Sequence, residues 1–289
     1  MFIRLDDIGS YALPIFYTVI THPLTHARTL MQLGYEPIPK YLGHSVLSSF
    51  GIGEKVYKYP SIFTYCKHMR NEIGLVGIFT IGLPARIIYW NVSALVSDVI
   101  LSKLNGDSHL TEGQSLNTDA DFHEYIHEVK NLTIARSVAV IIAYPFQVFM
   151  VRQMAEIINE GTPESKLMFS LFLNILDDEG ILGLYGGLKA KLIGEIATIW
   201  LTAGFVYAFN KYVLKDRVGT DIKNHSPTLG GLLCSNVTYR FSVISTVMAI
   251  GSAKILGMVS FKSLWECYMH LHEKKAFNRG SSLFLRYAL

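Results

Sequence analysis

Long apolar stretches, each broken by a few polar residues, alternate with short mixed segments along this chain. Five stretches read as membrane helices: about Tyr11 to Leu33, Leu83 to Leu101, Leu132 to Met154, Leu188 to Leu214, and Thr228 to Ile250. Each runs for about 19 residues or more, enough to cover a hydrocarbon core of roughly 30 Å. Pro23 and Pro145 fall inside the first and third spans and predict kinks there. Neighbouring helices can re-satisfy the carbonyls that such kinks free. Three shorter segments mix aromatics with charge and read as interfacial amphipathic helices: about Ser61 to Asn71, Ser165 to Asp177, and Phe261 to Glu273. Gly34 to Pro60 reads as a long loop, Lys103 to Asp121 as a polar, acidic one, and Asp216 to Ser226 as a short connection.

Composition moves this pattern firmly to a membrane. Half of the 289 residues are hydrophobic and only 17% are charged, against roughly 25% charged in soluble domains. A disordered chain is excluded by the same figures. The net charge of +3 comes without a Lys/Arg cluster, so no nucleic-acid partner is expected. Cys66, Cys234 and Cys267 form no CxxC pair, and neither a zinc site nor a disulfide framework is expected. No P-loop, dinucleotide fingerprint, nucleophile elbow or HExxH is present. The expectation is a protein that is not an enzyme and carries no cofactor. The opening MFIRLDD, with two early aspartates, argues against a cleaved presequence, so any targeting signal is expected to be internal.

The segments repeat. EIGLVGIFTIGLPAR (Glu72 to Arg86), DEGILGLYGGLKAK (Asp178 to Lys191) and EKKAFNRGSSLFLR (Glu273 to Arg286) each follow a short helix. In each, an aromatic, a glycine and a base recur in order: Phe79, Gly82, Arg86; Tyr185, Gly187, Lys191; Phe277, Gly280, Arg286. HPLTHAR (His22 to Arg28), YPFQVFM (Tyr144 to Met150) and YRFSVIS (Tyr239 to Ser245) precede the short helices. The unit of span, loop, amphipathic helix, glycine turn and span has a period of about 100 residues. It divides a single domain, 1–289, into repeats of about 10–104, 131–214 and a truncated 227–289.

This pattern resembles the mitochondrial carrier superfamily, whose signatures are P-x-[DE]-x-x-[KR] and EG followed by an aromatic and a glycine. QLGYEPIPKYLG (Gln32 to Gly43), EGILGLYGGL (Glu179 to Leu188) and RGSSLFLR (Arg279 to Arg286) make it most similar to the mitochondrial carrier homolog branch. The resemblance implies an all-α membrane protein: a degenerate three-repeat carrier fold with five transmembrane helices, the sixth missing, plus three short amphipathic helices. It also implies a multi-pass protein of the mitochondrial outer membrane that helps insert α-helical, especially tail-anchored, proteins.

Departures from the carrier pattern sharpen that expectation. Ser281 to Leu289 would extend only roughly 13 Å as a helix, too short to cross, which predicts an opening between spans one and five. The gate positions that pair acid with base in a carrier read Thr25, Gln147, Ser242 and Arg28, Met150, Ser245, and Arg240 replaces the third proline. An ionic ring cannot close on these residues. Polar residues instead recur at helical spacing: Thr18, His22, Thr25, Arg28 and Gln32; Lys191, Glu195, Thr198 and Thr202; Ser235, Tyr239, Ser242 and Thr246. A charge at mid-membrane costs roughly 2.5–3.5 kcal/mol on insertion scales, so these stripes predict a wet groove open sideways to lipid. Its expected lining is Thr25, Arg28, Gln147, Lys191, Glu195, Tyr239, Arg240 and Ser242. Pro23, Pro145, Gly82, Gly187 and Gly280 are expected to be structural.

Other readings stand beside the insertase, for single residues and for the whole protein. Arg28 and Glu195 could simply pair to hold spans one and four together, and Arg240 could snorkel to an interface. The protein could be a solute carrier, or a scaffold that recruits soluble apoptotic partners through its loops and acts in apoptosis and lipid metabolism. Lipid headgroups could also slide along the groove, giving scramblase activity. The expected partners are membrane lipids and client transmembrane helices.

Overall fold

A computed structural model describes residues 14–44, 55–105, 122–160, 168–214, 220–251, 259–282, 284 and 286–287. The opening MFIRLDD and most of the Lys103 to Asp121 segment lie outside these residues. The elements in chain order are α1 (14–20), α2 (His22–Leu33), β1 (Tyr41–His44), β2 (Lys55–Tyr59), α3 (Ile62–Thr80), α4 (Leu83–Asn105) and α5 (Phe122–Ala155). Then come α6 (Ile157–Glu160), α7 (Met168–Glu179), a 3-10 turn (Ile181–Tyr185), α8 (Leu188–Ala208) with a π-helical end (Phe209–Leu214), α9 (Thr220–Ala249), α10 (Leu264–Glu273) and β3 (Arg286–Tyr287).

Helices occupy all five predicted span positions. Among the described residues, three stretches are long and apolar enough to cross a membrane: 62–105 through α4, α5 itself, and 181–212 through α8. α1–α2 and α9 fall outside that criterion. α1 and α2 are separated by a turn at Thr21 just ahead of Pro23, and α2 is half polar. Arg86 of α4 braces that turn, donating to the Thr18 carbonyl (2.9 Å) and the Thr21 hydroxyl (3.1 Å).

Each short amphipathic helix packs on the kinked helix before it, as its apolar spacing demands. Ile62, Tyr65 and Met69 of α3 bury against Ala27, Leu30 and Met31. Ile175 of α7 meets Phe149, and Cys267 and Leu271 of α10 meet Val243 and Ile244. Gly74 (φ 77°) breaks α3, and Gly180 (φ 69°) ends α7 at the corresponding place. In the third repeat Lys275 (φ 49°) takes the left-handed conformation just after α10.

At the end of the bundle where the short amphipathic helices lie, called the linker end, the three repeats are joined by one recurring device. The residue before each proline position bonds to the carbonyl just before the repeat glycine. His22 Nε2 lies 2.9 Å from Ile81 O, Tyr144 donates to Gly186 O at 2.7 Å, and Tyr239 donates to Arg279 O at 2.7 Å. The next residues, Gly82, Gly187 and Gly280, all have φ between 72° and 83°, which disfavours any side chain. Each also lies against the following repeat. A Cβ at Gly82 would meet Met150 O at 3.3 Å, one at Gly187 would meet Ser245 O at 2.5 Å, and one at Gly280 would meet Arg28 O at 3.2 Å. The third contact carries the ring from repeat three back to repeat one.

Two expectations need correction. The Gly34 to Pro60 segment is not only loop: β1 and β2 form a hairpin, which β3 extends to a three-stranded antiparallel sheet in the order β1-β2-β3. The protein is therefore mostly rather than wholly helical. Arg286 is also not the counterpart of Arg86 and Lys191. Those two sit one turn into a span, whereas Arg286 lies in β3, where its backbone pairs with Tyr59.

Candidate functional site

α2, α8 and α9 border an open cavity of about 470 Å³. About half of its wall is polar, because the stripes of three helices converge. Arg28 and Gln32 come from the last two turns of α2, and Lys191, Glu195 and Thr198 from one face of α8. Ser235, Tyr239 and Ser242 come from α9, and Ser281 closes the lining from beyond α10. Successive turns of a helix put i, i+3 and i+4 on one side, which is how separate patterns in the sequence meet at one site.

Glu195 accepts an ion pair from Lys191 of its own helix at 2.8 Å. Arg136 of α5 adds to the positive field at that carboxylate. A direct Arg28–Glu195 pair is not what ties α2 to α8. Arg28 has no ion-pair partner among the described residues, and its buried Nε meets no acceptor. α2 and α9 are instead joined through Gln32. Its Nε2 donates to the Tyr239 hydroxyl at 3.0 Å, and its Oε1 accepts from Thr246 at 2.8 Å. Across α8 and α9, the Thr198 and Thr238 hydroxyls lie 2.6 Å apart.

Comparison with known proteins places this bundle. Mitochondrial carrier homolog 2 of Homo sapiens is 30% identical over 283 residues, covering 93% of this chain and 90% of that protein. The chain belongs to the mitochondrial carrier homolog family. Mitochondrial carrier homolog 1 of Mus musculus is 26% identical over 293 residues, 93% of this chain and 74% of that protein. Residues 131–217 match the family described as mitochondrial carrier protein. Mitochondrial thiamine diphosphate carrier 1 of Zea mays is 28% identical over 201 residues, 68% of this chain and 54% of that protein. This carrier homolog is thus a mitochondrial membrane protein.

In this carrier homolog, five of the eight predicted lining residues meet in the cavity: Arg28, Lys191, Glu195, Tyr239 and Ser242. The other three do not line it. Thr25 is half-buried and its hydroxyl donates to Thr21 O of its own helix at 3.2 Å. Gln147 is half-buried on α5, with a buried, unbonded Oε1. Arg240 is exposed, its guanidinium 5.8 Å above the Phe277 ring, because it lies about 100° around α9 from Tyr239. The upper part of the first stripe is also not wet. Thr18 bonds to Pro14 O and His22 is fully buried. Gln32, Thr198 and Ser235, named only as stripe members, belong to the lining. Ser281 carried no periodic signal, since it lies outside a helix.

Among the described residues no group of three or more His, Cys, Asp or Glu could hold a metal ion. A second, buried charged pair lies outside the cavity. Arg152 makes a two-pronged pair with Glu179 (2.7 and 2.8 Å) and donates to Ala249 O at 3.0 Å. That pair sits inside the second repeat, the part that matches the carrier family.

Proposed function

We infer that the protein is a non-enzymatic insertase of the mitochondrial outer membrane, acting on α-helical and especially tail-anchored clients. The observation that carries this reading is the polar cavity of about 470 Å³ between α2, α8 and α9, within a bundle of membrane helices. A client helix with a short polar flank must carry that flank across hydrocarbon. Hydroxyls and charges along the cavity offer the flank hydrogen bonds on the way, while the apolar helix meets lipid between α2 and α9. No energy source is required, because burying about 20 apolar residues is itself favourable. Lipid scrambling through the same groove is compatible with this mechanism.

Arg28 supplies a cation with no ion-pair partner among the described residues, Lys191–Glu195 a paired charge, and Tyr239 and Ser242 two hydroxyls. The test is insertion of a reporter helix into liposomes containing the purified protein. Arg28→Glu and Glu195→Arg should each change the insertion rate by several-fold. Rates equal to the parent's in both variants would overturn the assignment. The match to the maize thiamine diphosphate carrier favours solute transport as a second reading. A protein-dependent flux of a small solute into sealed liposomes would support it.

A further inference from the structure

Beyond α10 the chain turns across the seam between repeat three and repeat one. The Arg279 carbonyl accepts from Tyr239 of α9. Gly280 lies against the backbone of Arg28 in α2. Phe284 lies 5.7 Å from the ring of Phe63 at the start of α3. Arg286 and Tyr287 pair with Tyr59 and Lys58 of β2. The Arg286 side chain is buried, ion-paired with Glu36, bonded to Pro60 O at 2.9 Å, and stacked over Tyr59 and Tyr65 at 5.5 and 5.8 Å. These contacts link α9 to the loop after α2 and to α3.

We propose that the described residues between Arg279 and Tyr287 are a strap that shuts the linker end of the groove, with Arg286 as its positioning residue. The pair with Glu36 keeps the strap across the seam. The strap keeps the Arg279 carbonyl on Tyr239, and Tyr239 in turn orients Gln32 and the polar wall. Burial pushes the Glu36 carboxyl up from its ordinary value even though Arg286 and Arg279 pull it down. The strap is held on few points, Arg286 with Glu36 and Pro60 O and the short β2–β3 pairing, so loss of the Arg286 side chain should free it. Release of the strap admits water to the groove from the linker end and lengthens the polar path. The geometry stands by itself, and only the effect on clients rests on the insertase reading.

The experiment uses the full chain in lipid nanodiscs, with Cys66 and Cys234 replaced by alanine and Ser242→Cys as the groove probe. Cys267 is retained because its buried thiol, pushed up to about 12 by burial, reacts only in unfolded molecules. A polar maleimide should label position 242 about five-fold faster in Arg286→Ala than in the parent, a local opening rather than global unfolding. Arg286→Lys, which keeps the cation, should stay near the parent. Adding Lys58→Cys and Tyr287→Cys, register partners close enough for a disulfide, should restore slow labelling when oxidised and lose it on reduction. Parent-rate labelling in Arg286→Ala with Cys267 protected would overturn the strap, as would an oxidised lock without effect. If Arg286→Ala exposes Cys267, Glu36→Gln takes its place with the same two outcomes. Insertion rates on the same proteins separate the readings. Labelling that follows the strap while insertion ignores it leaves the strap standing and removes the insertase.

Discussion

The second repeat and the seam between the third and first repeats solve one problem in two ways. Each must hold the linker end of the bundle together, and each uses a buried arginine–glutamate pair beside a glycine joint. In the second repeat, Arg152 and Glu179 are 27 residues apart and the joint leads into α8. At the seam, Arg286 and Glu36 are 250 residues apart and the joint leads into a strand. The tyrosine-to-carbonyl bond has the same length, 2.7 Å, in both places. The joint therefore does not depend on the helix that follows it. What differs is where each closure is anchored: Arg152 projects from the long helix α5 and bonds both Glu179 and Ala249 O of α9, whereas Arg286 reaches Glu36 and Pro60 O from a two-residue strand.

That difference can be broken from the strongest side first. Arg152→Ala strands Glu179 in a buried site and should cost about 3–5 kcal/mol, seen as a large drop in the thermal midpoint in detergent. Gly187→Ala and Gly280→Ala test the joints themselves. The first forces a Cβ to 2.5 Å from Ser245 O, the second only to 3.1 Å from the Tyr239 hydroxyl. Losses of about 3 and about 1–2 kcal/mol should follow, and equal losses would mean the seam is as tightly packed as the second repeat. Tyr144→Phe and Tyr239→Phe each delete two hydrogen bonds and should cost about 1–3 kcal/mol each. Tyr239→Phe alone should also alter insertion, because its hydroxyl faces the groove. Arg240→Ala removes an exposed contact with Phe277 and should shift stability by less than about 1 kcal/mol, with insertion unchanged. A strong insertion defect there would put Arg240 back on the client path.

Much of this was legible in the sequence where periodicity speaks. The kinked helices, the amphipathic helices and the glycine turns follow from spacing, and five lining residues follow from stripes at i, i+3 and i+4. The failures have physical causes. Arg240 was grouped with Tyr239 as a sequence neighbour, but a helix sends adjacent residues to different sides. Thr25 looked polar, yet a threonine hydroxyl in a helix can be satisfied by the carbonyl one turn back. The sheet was hidden because Gly34 to Pro60 reads as loop until β3 arrives from the other end of the chain. The joint was half visible. HPLTHAR, YPFQVFM and YRFSVIS each carry a hydrogen-bonding ring just ahead of the proline position, but nothing local reveals the carbonyl it reaches.

The placement of the joints has a mechanical consequence. All three lie at one end of the bundle, and the described side-chain hydrogen bonds that cross directly from α2 to α9 come from Gln32, in the final turn of α2. Toward the other end the two helices share no such bond among the described residues. The assembly is built like a hand fan: ribs riveted at the base, with the outer two free to spread. Widening the mouth between them breaks none of the described rivets, so α2 and α9 can part there while the base stays joined.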